Sequence, residues 1–292
     1  MNSTTARVDP PDPEIVASDV ARALAEDLGS GDVTADLLPA DAQASASVMT
    51  REDAVIAGLA WFDACFRALD PAIEIHWRCD DGTQVSAGDT LCTLRGRART
   101  LVSAERCALN FLQTLSATAT ATATHVAAVR GTHATILDTR KTLPGLRMAQ
   151  KHAVRCGGAS NHRIGLFDAM LIKENHIVAA GSLDAAVRTA RLRHPDLLLE
   201  VEVENFPELD AAIAAGVDRI MLDEFSLADV RRAVAHVDGR VALEVSGGIG
   251  LGELPALAAT GVNYISIGAL TKNVRAIDLS MRIVFADQIL PE

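Results

Sequence analysis

Apolar positions change their spacing along this 292-residue chain, and two rhythms result. Up to about Thr118 helical and strand-like periods are mixed. Apolar residues recurring every three to four positions predict helices over 13–28 and 59–69. Short β-prone runs lie around them at 45–49, 73–78 and 90–94. The phrase DGTQVSAGDTL at 81–91 has the turn-and-strand look of a lipoyl-type carrier, but a carrier needs a lysine to modify, and none precedes Lys141. A structural hairpin is the expectation there. Residues 104–130 contain the stretch ATATATAT, in which threonine weakens helix propensity without forbidding a packed helix, so a connecting helix is expected. From Thr132 onward, short and nearly continuous apolar strands (134–138, 169–173, 198–203, 219–223, 241–245, 264–267) begin to alternate with Ala-rich helical segments (183–193, 207–215, 227–236, 251–259). Repeated βα units with such strands imply a parallel sheet covered by helices, most simply a closed or nearly closed α/β barrel.

Composition narrows the class. With 49% apolar and 22% charged residues the chain is an ordinary globular protein of one large or two smaller domains. No apolar run reaches membrane-spanning length, and the opening MNSTTARVDPPDPE has no signal-peptide core. A net charge of −11 argues against nucleic acid as a partner. Five cysteines without a CxxC pair read as free buried thiols in a reducing cytoplasm rather than as a zinc site.

Charge then changes the picture. Residues 138–176 hold seven Lys/Arg against three Asp/Glu, a local +4 that leaves −15 elsewhere, and three of the four lysines fall there (Lys141, Lys151, Lys173). Cations gathered within an acidic chain imply a pocket for a small, strongly anionic ligand, because a cleft focuses local potential whatever the net charge outside. Within the island Arg147, Lys151 and Arg155 form one helical stripe, for which a solvated face is the alternative.

The predicted strand ends carry matching chemistry: Thr139-Arg140-Lys141, Lys173, Glu202, Asp223, Ser246-Gly247-Gly248 and Gly268-Ala269. Barrel enzymes build their sites on that rim. Arg140 and Arg163 suit forked binding of carboxylate or phosphate. Lys141 and Lys173 are compact cations, and Glu202 with Asp223 could hold Mg²⁺ or stabilise a cationic transition state. Ser246-Gly247-Gly248 offers backbone N–H groups as a phosphate cradle. A Schiff-base role for Lys173 leaves the crowd of arginines unexplained. Glu105-Arg106 reads as a helical ion pair with no functional claim from periodicity.

Long phrases now accumulate in order: EDLG and GDVT near residue 30, AER with LN at 104–110, DTRKTLPG at 138–145, GGA with NHR at 157–163, LIKENH at 171–176, EVEVE at 200–204, MLD at 221–223, SGGI at 246–249 and SIGAL at 266–270. On these the chain resembles the quinolinate phosphoribosyltransferase family, of the type II phosphoribosyltransferases, along nearly its whole length. The resemblance implies an N-terminal α/β sandwich domain (1–117), an incomplete, open α/β barrel (118–278) and a C-terminal helix near 279–290 returning to the first domain. It implies a homodimer, possibly a higher oligomer, in which Arg106 completes the neighbouring pocket. The implied reaction joins quinolinate to phosphoribosyl pyrophosphate (PRPP) with Mg²⁺ and no organic cofactor, in the cytoplasm. Quinolinate would be bound by Arg106, Arg140, His162, Arg163 and Lys173. PRPP and metal would be held by Thr139, Lys141, Glu202, Asp223, Ser246, Gly247, Gly248, Ile267, Gly268 and Ala269, with Glu202, Asp223, Lys141 and Lys173 closest to the chemistry. Rival readings are a ModD-like paralogue or a nicotinate phosphoribosyltransferase on the same fold, and a non-catalytic protein that binds anionic metabolites.

Overall fold

In a computed structural model, which describes residues 8–285, the chain forms α1 (Pro13–Leu28), β1 (Gln43–Thr50), β2 (Ala54–Val55), α2 (Leu59–Leu69), β3 (Glu74–Trp77), β4 (Gln84–Val85) and β5 (Thr90–Arg97), then the long helix α3 (Ala98–Ala128). There follow β6 (Thr135–Leu137), α4 (Arg147–Cys156), β7 (Ala169–Ile172), α5 (Glu174–Ala180), α6 (Leu183–Arg193), β8 (Leu198–Val203), α7 (Phe206–Ala215) and β9 (Arg219–Asp223). The remainder is α8 (Leu227–Val237), β10 (Ala242–Ser246), α9 (Leu254–Ala258), β11 (Tyr264–Ser266), α10 (Ala269–Lys272) and β12 (Leu279–Phe285).

These elements fall into two compact units. One comprises the chain up to Ala123, Leu143–Gly158 and the residues from Asn273; the other comprises Thr124–Thr142 and Ala159–Lys272. The boundary expected at 117/118 therefore lies inside α3, and α4, with Arg147, Lys151 and Arg155, groups with the first unit. The basic stretch is thus divided between two bodies. Lys151 is only 2% exposed, so the stripe on α4 is not a solvated face.

The first unit is built on an antiparallel sheet of order β12-β1-β5-β3. Buried and accessible positions alternate along β1, as a sheet with one covered face requires. Its core includes the fully buried Trp61, Phe62 and Phe66 of α2, and the indole N–H of Trp61 donates to Asp19 of α1 at 3.1 Å. The threonine-rich part of α3 holds as helix because its hydroxyls find partners: those of Thr120 and Thr122 donate to the carbonyls of Ser116 and Thr118, each at 2.7 Å. Thr120 also accepts the Val55 N–H at 2.9 Å, tying β2 to the helix.

Two expectations change here. β4 pairs with β2, not with β5, so residues 81–91 do not form a hairpin. Residues 279–285 are strand β12, antiparallel to β1 from Thr50↔Leu279 to Ala44↔Phe285, where a helix was expected. The chain end does return to the first unit, but as an edge strand rich in β-branched and long apolar residues. Residues 286–290 of that expected helix lie outside the described residues.

The second unit is a six-stranded parallel sheet of order β6-β11-β10-β9-β8-β7, with helices between successive strands from β7 to β11. β6 and β7 occupy the two edges, which is the open seam of an incomplete barrel. Local signals start its helices where the sequence places them: Ser182, Asn205 and Ser226 cap α6, α7 and α8 by accepting N–H groups of the first turn. Among the described residues no helix is long and apolar enough to cross a membrane.

Candidate active site

Parallel strands present all their carboxyl ends on one side, so the strand order fixes the order of groups along the barrel rim. Read from edge to edge, the ends are Thr139–Lys141 after β6, Ile267-Gly268-Ala269 after β11, Ser246-Gly247-Gly248 after β10, Asp223 of β9, Glu202 of β8 and Lys173 after β7. Cations stand at the two sides, acids in the middle, and two glycine turns between.

At the first side β6 runs into Asp138, which is fully buried. Its carboxylate accepts from the Asn161 amide at 2.7 Å and the His162 N–H at 2.8 Å, fixing the Asn161-His162-Arg163 segment beside the strand end. Thr139 accepts the Lys141 N–H at 3.1 Å, and Thr271 of α10 donates to the Lys141 carbonyl at 2.8 Å. A Cβ at Gly268 would lie 3.0 Å from the Lys141 side chain and 3.5 Å from the Thr139 hydroxyl, so a residue without a side chain lets the turn approach both. Arg163 donates to the Ala169 carbonyl at 3.3 Å. Its pKa is lowered first by burial and then by repulsion from Arg140. Glu200 and Asp168 act in the opposite sense on the Arg163 guanidinium.

In the middle, Asp223 and Ser246 are register neighbours on β9 and β10. Gly247 has φ +105°, and a Cβ there would meet the Asp223 carboxylate at 3.4 Å. Glu224, next in the chain, takes φ +56°, a strained setting for a residue with a side chain. Burial, with Glu174, Glu208, Asp223 and Glu224 around it, raises Glu204 above the ordinary carboxylate range. Glu202 and Asp223, on the neighbouring strands β8 and β9, offer the oxygen donors that a hard divalent cation takes. Glu202, with a side chain 14% exposed, forms an ion pair with the Lys173 ammonium.

His162 departs from its expected place. Its ring turns inward beneath the rim, with Nε2 3.0 Å from Glu200 and 3.5 Å from Glu244, while Glu244 also pairs with Arg219 at 3.1 Å. Burial pulls the ring down, but the two carboxylates outweigh it and push its pKa up to about 9. Burial also raises Glu200. The Arg163 N–H lies 2.7 Å from the ring Nδ1. His162 in this structure therefore orients Arg163 from below. Sequence reasoning overlooked Asp138, Asn161, Glu200 and Glu244 as supports of the site; a buried charge on every second position of a strand, Glu200 then Glu202, was the available signal.

Arg106 lies in the first unit, on α3, with Glu105 4.0 Å away and most of its side chain exposed. The remaining implied site residues all belong to the second unit.

Residues 32–116 match the N-terminal domain and residues 118–282 the C-terminal domain of quinolinate phosphoribosyl transferase. The chain belongs to the quinolinate phosphoribosyltransferase family. It is 43% identical over 272 residues to a nicotinate-nucleotide pyrophosphorylase (carboxylating) of Mycobacterium leprae, covering 90% of this chain and 95% of that one. A probable enzyme of the same name from Bacillus subtilis is 40% identical over 268 residues, covering 91% and 93%. Among solved structures, the nicotinate-nucleotide pyrophosphorylase of Francisella tularensis superposes with a TM-score of 0.92 at 46% identity, covering 96% of this chain and 100% of that one. The two matched domains of the quinolinate phosphoribosyltransferase family meet within α3, and the C-terminal match also takes in α4, which groups with the first unit.

Proposed function

We propose that this chain transfers the phosphoribosyl group of PRPP to quinolinate with loss of CO₂, releasing nicotinate mononucleotide and pyrophosphate, in the synthesis of NAD. The observation that carries the reading is the rim order: a repelling arginine pair beside Lys141 at one side, Lys173 at the other, two glycine turns, and Asp223 and Glu202 between. Arg140 and Arg163 would clasp the carboxylates of quinolinate, a task for which planar, forked donors are suited. Lys173 adds a compact charge, delivered from its pair with Glu202. Lys141 and the N–H groups of the turns at Gly268 and Gly247 would bind the phosphates of PRPP.

Glu202 and Asp223 would hold Mg²⁺. When bound, the metal supplies charge neutralisation for the departing pyrophosphate. As that bond lengthens, C1 of the ribose becomes cation-like, and the Glu202 and Asp223 carboxylates lower the energy of that charge. Arg140 and Arg163 keep the pyridine ring still, so that its nitrogen meets C1 in line. The nitrogen, once alkylated, is cationic and stabilises the electron pair left on the adjacent ring carbon as the carboxylate departs as CO₂, and a proton from solvent then forms the C–H bond of the product.

The deciding assay is mass spectrometry of products from quinolinate, PRPP and Mg²⁺, with nicotinate as parallel substrate. Nicotinate mononucleotide and CO₂ are expected from quinolinate, with little product from nicotinate. Product chiefly from nicotinate would move a nicotinate phosphoribosyltransferase to first place, and no turnover by folded protein would favour a repurposed paralogue or a binding protein.

A homodimer belongs to the same proposal. Arg106 is exposed on α3, and Leu166 and Phe167, each 73% exposed, form an apolar tip beside the Arg163 segment that a second copy would cover. If Arg106 serves the neighbouring pocket, mixing inactive Arg106→Ala and Lys173→Ala subunits restores part of the activity, because one composite site is then intact. Proven subunit exchange without any recovery counts against sharing.

A further inference from the structure

Apart from the rim and its supports, the described residues bring together one more set of side chains with metal-ligand chemistry: Asp81, His152 and Cys156, all in the first unit. His152 and Cys156 stand four residues apart on α4 and so share one helix face. Asp81 comes from the loop between β3 and β4. Gly82, at φ +88°, lets that loop lie against α4: a Cβ there would sit 3.3 Å from the Cys156 carbonyl oxygen, in a conformation that side chains avoid. The first Asp81 oxygen accepts the N–H groups of Gly58 and Leu59 at the start of α2, at 2.8 and 3.2 Å. That fixes the carboxylate and aims Oδ2 at His152 Nε2, 2.9 Å away. Cys156 Sγ lies 3.4 Å from the same nitrogen.

A nucleophile–base–acid relay would use opposite nitrogens of the ring, with the thiol open to substrate. Here oxygen and sulfur converge on one nitrogen, and both His152 and Cys156 are buried. Among the described residues His152 Nδ1 has no hydrogen-bond partner, and Trp61 packs beside the ring at 5.6 Å between centroids. Nothing on that side dictates which nitrogen carries the ring proton. In tetrahedral zinc sites, bonds of about 2.0–2.3 Å space neighbouring ligand atoms by about 3.3–3.6 Å. The separations of 2.9 and 3.4 Å are within a few tenths of an ångström of that spacing.

We propose that Asp81, His152 and Cys156 form a binding site for a thiophilic divalent cation of the zinc class, distinct from the Mg²⁺ site on the barrel rim. The cation takes the place of the proton that Nε2 shares with the oxygen and the sulfur. The ring proton moves to Nδ1, the thiol proton leaves to solvent, and carboxylate, imidazole and thiolate become the ligands. The site joins α4 to the loop that caps α2, and occupancy stabilises the unit by mass action.

Metal-stripped full-length protein titrated with Co²⁺ tests this. One thiolate-bound Co²⁺ per chain is expected, seen as a thiolate-to-cobalt charge-transfer absorption that Zn²⁺ abolishes while raising Tm. Cys156→Ser removes the band. His152→Gln and Asp81→Asn weaken binding at least tenfold, and Asn at 81 keeps the oxygen that caps α2, so it guards against loss of fold. A folded wild type without the band, or a band undiminished in Cys156→Ser, overturns the site. Glu202 and Asp223 offer no sulfur, so cobalt bound at the rim gives no such band and the two metal assignments fail independently.

Discussion

Replacing Arg163 with alanine is expected to raise KM for quinolinate and lower kcat/KM by about 30- to several-thousand-fold, corresponding to about 2–5 kcal/mol for one partner of a desolvated charge pair. The cause is visible without ligand. Burial, then repulsion from Arg140, lowers the Arg163 pKa against the attraction of Glu200 and Asp168, so an anion bound between the two guanidinium groups would relieve their repulsion. Removing Arg163 relieves that repulsion, and Tm should hold or rise while binding collapses. KM for PRPP should change less, because the glycine turns at Gly247 and Gly268 lie on other strand ends. Arg163→Lys should recover only a small part, since an ammonium cannot make two parallel bonds to a carboxylate. Steady-state kinetics with each substrate varied in turn reads the split. Wild-type kcat/KM for quinolinate in a folded Arg163→Ala protein would remove the arginine pair from the site.

Glu202→Gln is expected to lower kcat by about 10²–10³-fold, the scale on which a preorganised electrostatic group aimed at developing charge acts. Glutamine keeps the volume and one acceptor oxygen but deletes the charge that, on the proposed reading, would face the ribose cation. The side chain is only 14% exposed, so solvent screens it poorly. The substitution also frees the Lys173 ammonium from its ion pair. The two residues are in contact, so Glu202→Gln and Lys173→Ala should be strongly non-additive in a double-mutant cycle. A kcat within about threefold of wild type would place the electrostatic work elsewhere, with Asp223→Asn the next variant to measure.

Much of this was legible because the signals were local. α1 begins and ends as the pattern predicts, since Asp12 caps it, Pro13 suits its first turn and Gly29 closes it. The strands at 198–203 and 219–223 coincide with their apolar runs. Residues 279–285, a helix by what the resemblance implied, are a strand: LSMRIVF has no strict alternation, and its partner β1 lies more than two hundred residues earlier. The hairpin at 81–91 failed for the same reason: its turn signals are real, but β4 finds its partner in β2. The resemblance implied His162 as a ligand of quinolinate; that Glu200 and Glu244 would pair with its ring depends on two strands that the chain reaches later.

By itself, then, the sequence determined the alternation of strands and helices, the family, and the identity of the group at each strand end, because periodicity, capping and motif are written in neighbouring residues. Only the tertiary structure decided that β11 and β10 stand between β6 and β9, so that Lys141 faces glycine turns rather than Lys173, and that α4 leaves the barrel to join the first unit. It alone turned His162 to the interior and brought Asp81 to His152 and Cys156. Those choices rest on hydrogen-bonded strand partners and buried contacts far apart in the chain, for which no local pattern is a substitute.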